Sequence, residues 1–271
     1  MTPARRERLL AFTVIGALFA LTLFPEFGYV PIWDGRVYAD CAVDAATGGI
    51  SFASLRCAGH PSQGYAIWLA LSQIVRPGDV SLLHLTNTLL GLVALASIRV
   101  VLARVFPAPA LARELDLVLL ACAIHPVLLS TLVQVNIDFG VYVFFFAALA
   151  ALLSGRLRWA ALAGVLLCFS KETGVVAYGV MVGLYAMFAA LEGTASLPAR
   201  MRRLAPLSVL AAPLVAFGVH VLWWNATHTE RALWKQGWQR GALDGFKFFD
   251  LAIPCSRATR RGSSCWDSCG W

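Results

Sequence analysis

The sequence predicts an all-α, polytopic membrane helix bundle with about seven transmembrane helices. Of its 271 residues, 59% are hydrophobic and only 14% are charged, and the mean hydropathy is +0.71. Soluble domains have about 45–50% apolar and about 25% charged residues. The apolar residues also come in long runs, and several runs approach the roughly 20 residues that one bilayer span requires. These observations exclude a soluble enzyme, a disordered chain and a fibrous repeat.

The net charge of +7 does not indicate a nucleic-acid partner. Lys and Arg are scattered between the apolar runs and form no basic stripe, which a nucleic-acid-binding surface needs. In a membrane protein such charges set the orientation of the spans instead. We therefore expect membrane lipids as partners and no nucleic acid.

The elements follow in order along the chain. The first apolar run, residues 9–24, follows three arginines and lacks a small-residue cleavage site, so we expect an uncleaved helix rather than a signal peptide. A polar segment, residues 25–63, comes next. Residues 65–75 are too few to span a bilayer, and we expect an interfacial helix there, within an outer loop of residues 25–80. The other spans are predicted at about residues 81–103, 115–133, 139–154, 157–170, 174–191 and 205–224.

The basic residues decide the predicted orientation. With seven spans and a cytoplasmic N-terminus, the cytoplasmic side receives eleven arginines up to residue 224, and the outer side receives four basic residues. This distribution obeys the positive-inside rule. A span at residues 65–75 would reverse every later loop. We therefore expect a multi-pass protein of a plasma membrane, such as the bacterial inner membrane. The eleven arginines are Arg5, Arg6, Arg8, Arg99, Arg104, Arg113, Arg156, Arg158, Arg200, Arg202 and Arg203.

The tail differs from the rest of the chain. Residues 225–271 carry seven basic residues on the predicted outer side, against the positive-inside rule. The last 17 residues, from Cys255, are rich in Ser, Arg, Cys and Trp and show no periodicity. We interpret residues 1–224 as the transmembrane domain and residues 225–271 as an outer-side tail, whose composition favours a truncated or frame-shifted terminus.

Asp34 is the first candidate for chemistry. It follows the first span by about ten residues and so lies near the membrane surface, where a partly desolvated carboxylate can act as a general base. Asp40, six residues later, is near enough to share a substrate hydroxyl or a divalent metal ion, the one cofactor that the sequence leaves open. Alternatively both are solvated loop acids, or Asp34 caps a helix that begins at Gly35.

Two further candidates precede predicted helices. His60 stands before Pro61, which suits a helix start because its φ is fixed and it lacks an N–H. His60 either binds substrate or merely precedes the turn. Asp138 lies at the outer start of the fourth span. There it either caps the helix, as Asn136 could, or belongs to a site, since an acid at that depth is costly without partners.

Lys171 and Glu172 interrupt an apolar segment, residues 160–191, that is too long for one span and suits two short ones. These charges either mark the turn or belong to a site, where Lys171 is a compact point charge suited to a lipid-linked phosphate. Cys41 and Cys57 share the outer loop and either form a disulfide or remain free thiols. No His or Cys spacing resembles a zinc site, and no phosphate-binding Gly loop occurs.

In this order the motifs resemble the N-terminal half of the C-type (GT-C) membrane glycosyltransferases. This group includes the protein O-mannosyltransferases and the lipid A aminoarabinose transferases of glycosyltransferase families 39 and 83. The matching features are Asp34 followed by Tyr38-Ala39, His60-Pro61 before an amphipathic helix, Asp138, and the Ser170–Thr173 break around Lys171. The resemblance covers roughly residues 5–225, and members of the group are usually much longer.

The resemblance implies transfer of a sugar from a polyprenyl-phosphate donor to a lipid, glycan or protein acceptor at the outer face. Asp34 is then the catalytic acid of the first outer loop, as base or in orienting the acceptor, and Lys171 faces the donor phosphate. Many members have an Asp-Glu pair where this chain has Asp34-Gly35, so Asp40 has to supply the second carboxylate. The alternative is a non-enzymatic protein such as a transporter, a flippase or an inactive relative. The expected substrate-binding residues are Tyr38, Asp40, His60, Asp138, Lys171 and Glu172.

Overall fold

The described part of the chain is helical apart from short connections, as the long apolar runs predict. The structure is a computed structural model that describes residues 3–57, 60–108, 111–191 and 207–227. These ranges contain no β-strand, so the all-α fold class is confirmed for them. A 3₁₀ helix, Phe24–Gly28, extends the first helix. The described helices are α1 (Pro3–Leu23), α2 (Asp34–Gly48), α3 (Gln63–Val75), α4 (Val80–Val105), α5 (Ala112–Ala123), α6 (Pro126–Val133), α7 (Ile137–Leu153), α8 (Leu157–Cys168), α9 (Glu172–Leu191) and α10 (Leu207–Thr227).

Four described helices are long and apolar enough to cross a membrane. The α5–α6 pair adds a fifth if its two helices form one bent span. At most a third of the residues in each of the four long helices are buried, so most of their apolar side chains face outward. Such an exposed apolar surface is what an integral membrane protein presents to lipid. The four spans are Leu9–Gly28, Val80–Val105, Glu172–Leu191 and Leu207–Trp224.

The predicted span at residues 115–133 is not one straight helix. It divides into α5 and α6, which are bent by 44° at the break between them. Pro126 begins α6 and has no N–H to continue the α5 ladder, and His125 before it adopts an extended backbone. The bend therefore follows from the proline, which apolar periodicity alone does not reveal.

The polar segment of residues 25–63 contains a helix that the apolar pattern did not predict. The buried face of α2 consists of Gly35, Tyr38, Ala39, Ala42 and Ala45, which follow the helical period. Most of these side chains are small, so α2 packs closely against α3 while its sequence looks polar. Small residues carry little hydropathy, which is why the segment reads as a loop.

The first residues of α7, α2 and α3 can be compared with three expectations from the sequence. The Asn136 side chain accepts a hydrogen bond from the Asp138 backbone N–H at 2.9 Å, so Asn136 is the cap of α7. Asp34 is the first helical residue of α2 and makes no capping bond there. The proline expected to open α3 is not its first residue, because Pro61 lies two positions before Gln63, where the helix begins.

Two buried side-chain hydrogen bonds in series link three helices. The Tyr65 hydroxyl of α3 donates to the Asn87 side-chain oxygen of α4 at 2.8 Å. The Asn87 amide in turn donates to the Leu132 carbonyl of α6 at 2.9 Å. Tyr65 and Asn87 are both buried, and unpaired polar groups there would cost about 1–3 kcal/mol each. These two hydrogen bonds therefore fix α3 against α4, and α4 against α6.

Helix ends contact one another at two levels of the bundle, one level at each end. At one level the His84 ring of α4 donates to the Tyr29 carbonyl after α1 at 2.8 Å. At the same level the N–H of Gly64, at the start of α3, donates to the Phe169 carbonyl after α8 at 2.7 Å. At the other level Arg99 of α4 pairs with Asp116 of α5 at 2.9 Å. Thus α1 and α4 run in opposite directions, as do α4 and α5, while α6 continues from α5 after the 44° bend.

The start of α2 lies directly on the turn before α7. A Cβ on Gly35 would overlap the carbonyl oxygen of Gln134, so only glycine fits this contact. The backbone is left-handed on both sides of it, with φ of 49° at Trp33 and 53° at Val135. A non-glycine residue in this region is strained, a β-branched one most of all. The packing around Gly35 holds both turns in place.

Residues 1–224 form one compact unit. The predicted tail, beyond Thr227, lies outside the described residues, as do residues 192–206 with three of the arginines counted toward the cytoplasmic side. The orientation of these segments therefore stays a prediction from the sequence.

We expect Gly35→Ala to destabilise the protein by about 1–3 kcal/mol, because overpacking a tight contact has that cost. The measurement is the midpoint of unfolding in a detergent titration. Gly48→Ala is the matched control, since it ends the same helix and an added Cβ there meets no atom within 4 Å. Equal midpoints for the two variants would contradict the contact between Gly35 and Gln134.

Candidate functional site

Six of the seven residues that the sequence selects gather at one end of the bundle. They come from four stretches of the chain: the first two turns of α2, the turn before α3, the start of α7 and the start of α9. Tyr38 and His60 lie within electrostatic reach of acids from the other stretches. The six residues, which we name the charged cluster, are Asp34, Tyr38, His60, Asp138, Lys171 and Glu172.

One ion pair joins α7 to the turn before α9. The Lys171 ammonium donates to the Asp138 carboxylate at 2.7 Å. The Lys171 side chain is 24% exposed and that of Asp138 is 51% exposed. Lys171 is thus held at the edge of the cluster, within reach of solvent, by the acid at the start of α7.

A second pair joins the turn before α3 to α9. The His60 ring nitrogen Nδ1 donates to the Glu172 carboxylate at 3.1 Å, with both side chains partly buried. This hydrogen bond raises the pKa of His60 above its usual value, against the opposing effects of burial and of the Lys171 charge. The negative charge of Asp34 also raises the pKa of His60, but by less than Glu172 does. His60 is therefore a cation over a wider pH range than a free imidazole.

Tyr38 lies beneath the acids of the cluster. Burial, together with the negative charges of Asp34, Asp138 and Glu172, raises the pKa of Tyr38 to about 12. The phenol is therefore a hydrogen-bond donor at neutral pH. Asp34 stands one turn earlier on α2 and is exposed, and no described side chain donates to its carboxylate. It is thus the acid of the cluster most open to an incoming molecule.

Asp40 does not join the cluster. Its carboxylate accepts the Arg36 Nε–H at 2.9 Å, and both side chains are more than half exposed. Six residues advance an α-helix by about 600°, so Asp40 and Asp34 point in different directions. The structure thus does not bring Asp40 to Asp34, and the expectation that Asp40 shares a substrate group or a metal ion with Asp34, in place of the acid missing at Gly35, gains no support from this geometry.

Arg56 belongs near the cluster, although the sequence argument did not select it. Its guanidinium lies within electrostatic reach of Glu172 and 4.2 Å from the ring centroid of Trp224. Cys57 beside it forms a disulfide with Cys41 of α2, with 5.8 Å between the two Cα atoms. The disulfide was one of two alternatives from the sequence. If the disulfide had been chosen from the sequence, Arg56, the neighbour of Cys57, would have been placed next to α2.

Aromatic side chains form a wall beside Arg56. The His220 ring of α10 lies 4.7 Å from that of Phe52 and 5.5 Å from that of Phe169, between centroids. Trp223 and Trp224 lie about one helical turn further, within 6.0 Å of the same imidazole. The cluster is therefore bounded on one side by apolar ring faces.

The arrangement suits binding of an anion next to a proton acceptor. Lys171, His60 and Arg56 bring positive charge to one place, while Asp34 offers an exposed carboxylate. Among the described residues, no group of three or more His, Cys, Asp or Glu side chains is arranged to hold a metal ion. The chemistry available to these side chains is proton transfer and charge stabilisation.

We expect the pairing of His60 with Glu172 to stabilise the protein more in acid than in base. The folded pKa of His60 is raised above the unfolded value of about 6.5. The stabilisation is therefore fully present below about pH 6.5 and is lost as the pH rises through the folded pKa. The measurement is the Tm of His60→Gln against the unaltered protein across this range.

The Tm difference should be largest in acid and should disappear in base. His125→Gln is the matched control, because His125 is exposed at the α5–α6 break and has no carboxylate partner in the described ranges. A difference that grows with rising pH would contradict the pairing.

The charged cluster is defined by its own geometry: two ion pairs, one exposed carboxylate outside these pairs and one buried phenol at the end of the bundle where α2 and α3 lie. These residues come from stretches more than 100 positions apart in the sequence. No protein-family model, no curated protein and no solved structure matches this chain.

Proposed function

We propose that the chain acts in a membrane glycosyl transfer that moves a sugar from a polyprenyl-phosphate donor to an acceptor at the outer face. The observation that carries the proposal is the charged cluster. Its exposed carboxylate, Asp34, lies within electrostatic reach of His60, which is in turn within reach of Lys171, at one end of an apolar helix bundle. Such a transfer needs a base for the acceptor and positive charge for the departing phosphate.

The proposed function carries a seven-span topology with it. By length and composition the four long helices and the bent α5–α6 pair give up to five spans, and seven spans require in addition that the shorter apolar helices α7 and α8 cross together with the residues that flank them. The alternation of helix directions brings α2, α3 and the charged cluster to one face. We propose that this face is the outer one, because the arginines at the opposite ends then obey the positive-inside rule. The protein then lies in a plasma membrane, such as the bacterial inner membrane.

A lipid-linked donor suits the position of the cluster. Lys171 and Glu172 begin α9, an apolar helix long enough to span the bilayer. A polyprenyl chain in the membrane would therefore carry its phosphate to the depth of Lys171. The aromatic wall with Phe169 and His220 offers apolar ring faces next to this point. The outward position of the acids makes a cytoplasmic nucleotide sugar an unsuitable donor.

In the proposed reaction Asp34 accepts the proton of an acceptor hydroxyl or amine. The acceptor atom attacks the anomeric carbon of the sugar, and the bond between this carbon and the phosphate oxygen breaks. The bonding electrons pass to the phosphate, whose added charge is stabilised by Lys171 and protonated His60. Tyr38 remains a phenol and donates a hydrogen bond, because its pKa of about 12 keeps it protonated.

Asp138 and Glu172 have a preparatory role in this scheme. They hold Lys171 and His60 in place before the donor arrives. Both pairs are partly exposed to solvent, so a phosphate can reach either cation and compete with the carboxylate that holds it. The carboxylates thereby position the cations without blocking them.

We expect Asp34→Asn to lower the rate of transfer by about 100-fold or more, because the amide cannot accept the proton. The assay uses membranes that contain the protein and labelled polyprenyl-phosphate mannose, glucose or aminoarabinose. The readout is release of polyprenyl phosphate, which accompanies transfer to any acceptor. Unchanged release by Asp34→Asn would remove this residue from the mechanism.

Two variants of the same helix control this experiment. Asp44→Asn alters an exposed acid further along α2, and Asp40→Asn alters the acid that pairs outward with Arg36. Both should retain the rate of the unaltered protein. A loss with Asp40→Asn as large as that with Asp34→Asn would contradict the separation of these two acids.

We expect the loop after α2 to be outside the cell and the loop after α4 to be inside. Ile50→Cys and Ala108→Cys place exposed thiols at these two positions, with the other free cysteines replaced by serine. A membrane-impermeant maleimide should label Ile50→Cys alone in intact cells, and both variants after permeabilisation. Labelling of Ala108→Cys in intact cells would contradict the proposed topology.

A further inference from the structure

We propose that a cleft between the end of α1 and α6 binds the primary ammonium group of an amphipathic amine. The cleft is a separate feature from the charged cluster, and this inference is independent of the proposed glycosyl transfer. Its lining, which we name the α1–α6 cleft, comes from the last turns of α1 with its 3₁₀ extension and from one face of α6.

The cleft has the size and walls of a small-molecule site. Its volume is about 350 Å³, at the lower end of the range of about 300–1,000 Å³ for ligand pockets. Leu23, Leu129 and Val133 supply apolar walls. A ligand with a short alkyl portion can therefore bury that portion against three aliphatic side chains.

Two hydroxyl groups of the cleft are limited to accepting hydrogen bonds. The Thr22 hydroxyl donates its proton to the Leu18 carbonyl at 2.8 Å. The Ser130 hydroxyl donates to the Val127 carbonyl at 3.0 Å. Because each hydroxyl has one proton, the remaining capacity of both oxygens is to accept. They lie on opposite sides of the cleft, one on α1 and one on α6.

The charge of the cleft is negative. Glu26 is exposed on the α1 side, and among the described residues that line the cleft none is Lys, Arg or His. The Gln134 amide is already engaged, since it donates to the Tyr29 hydroxyl at 2.9 Å and its oxygen faces the Ile32 N–H at 3.3 Å. Among the described residues of this lining, an anion would find no cation and only two uncommitted side-chain donors, the Tyr29 hydroxyl and the second amide N–H of Gln134.

A primary ammonium matches this set of groups. It carries three N–H donors and no acceptor, and the cleft offers the Glu26 carboxylate with the Thr22 and Ser130 oxygens. Glu26 lies at the end of the first span, where lipid headgroups are found. The amine of a phosphatidylethanolamine headgroup and a free amphipathic amine share this chemistry.

The test uses the full chain in phosphatidylcholine nanodiscs with hexylammonium as the probe and hexanol as its neutral isostere. Binding is followed by saturation-transfer NMR. Glu26→Gln should weaken hexylammonium binding about 3–10-fold, because it removes one charge-assisted hydrogen bond at a partly solvated position. Glu7→Gln, an exposed acid at the other end of α1, is the matched control and should not change it.

A second variant, Ser130→Leu, removes an acceptor and fills the cleft, and should weaken hexylammonium binding without changing the Tm. Equal hexylammonium binding by the unaltered protein and Glu26→Gln, or hexanol binding as tight as that of hexylammonium, would overturn the proposal. Nanodiscs with phosphatidylethanolamine identify the source. If phosphatidylethanolamine in the nanodisc weakens hexylammonium binding, the site binds the lipid headgroup. If hexylammonium binding is unchanged in these nanodiscs, the site binds free amines.

Discussion

The close approach of Gly35 to the Gln134 carbonyl is the contact on which the charged cluster depends. It brings the start of α2 onto the turn that leads into α7, so that Asp34 and Asp138 reach the same end of the bundle. Left-handed backbone on both sides of the contact leaves little freedom to shift. A side chain at position 35 would separate the two acids before any ion pair could form.

A second backbone contact completes the assembly. The N–H of Gly64 donates to the Phe169 carbonyl, and a Cβ at position 64 would overlap the Leu166 carbonyl. This fixes the start of α3, with His60 before it, against the turn that carries Lys171 and Glu172. The two ion pairs form between elements that the backbone has already placed. The ion pairs therefore join elements whose approach the backbone contacts already define.

Sequence patterns predicted the long helices because apolar runs and helix length are local properties. They missed α2, whose buried face is mostly alanine and glycine, and they missed the bend at Pro126. Ionisable residues near predicted helix ends led to six members of the cluster. Asp40 was expected near Asp34 because the sequence left open whether this segment is a loop or a helix, and the helix turns Asp40 away from Asp34. The position of Arg56 near the cluster could be predicted only from the disulfide between its neighbour Cys57 and Cys41. Sequence spacing alone could not decide whether this disulfide forms.

The three acids of the cluster share a structural reason for being together. Asp34, Asp138 and Glu172 each lie in the first turn of a helix, and α2, α7 and α9 all begin at the same end of the bundle. The positive end of a helix dipole favours a negative charge there, by about 0.3–1 kcal/mol. The same helix ends, together with Lys171 and His60, attract an anion once it displaces the carboxylates from their partners. In the proposed transfer, the donor phosphate would compete with these carboxylates for Lys171 and His60, at helix ends that already favour negative charge.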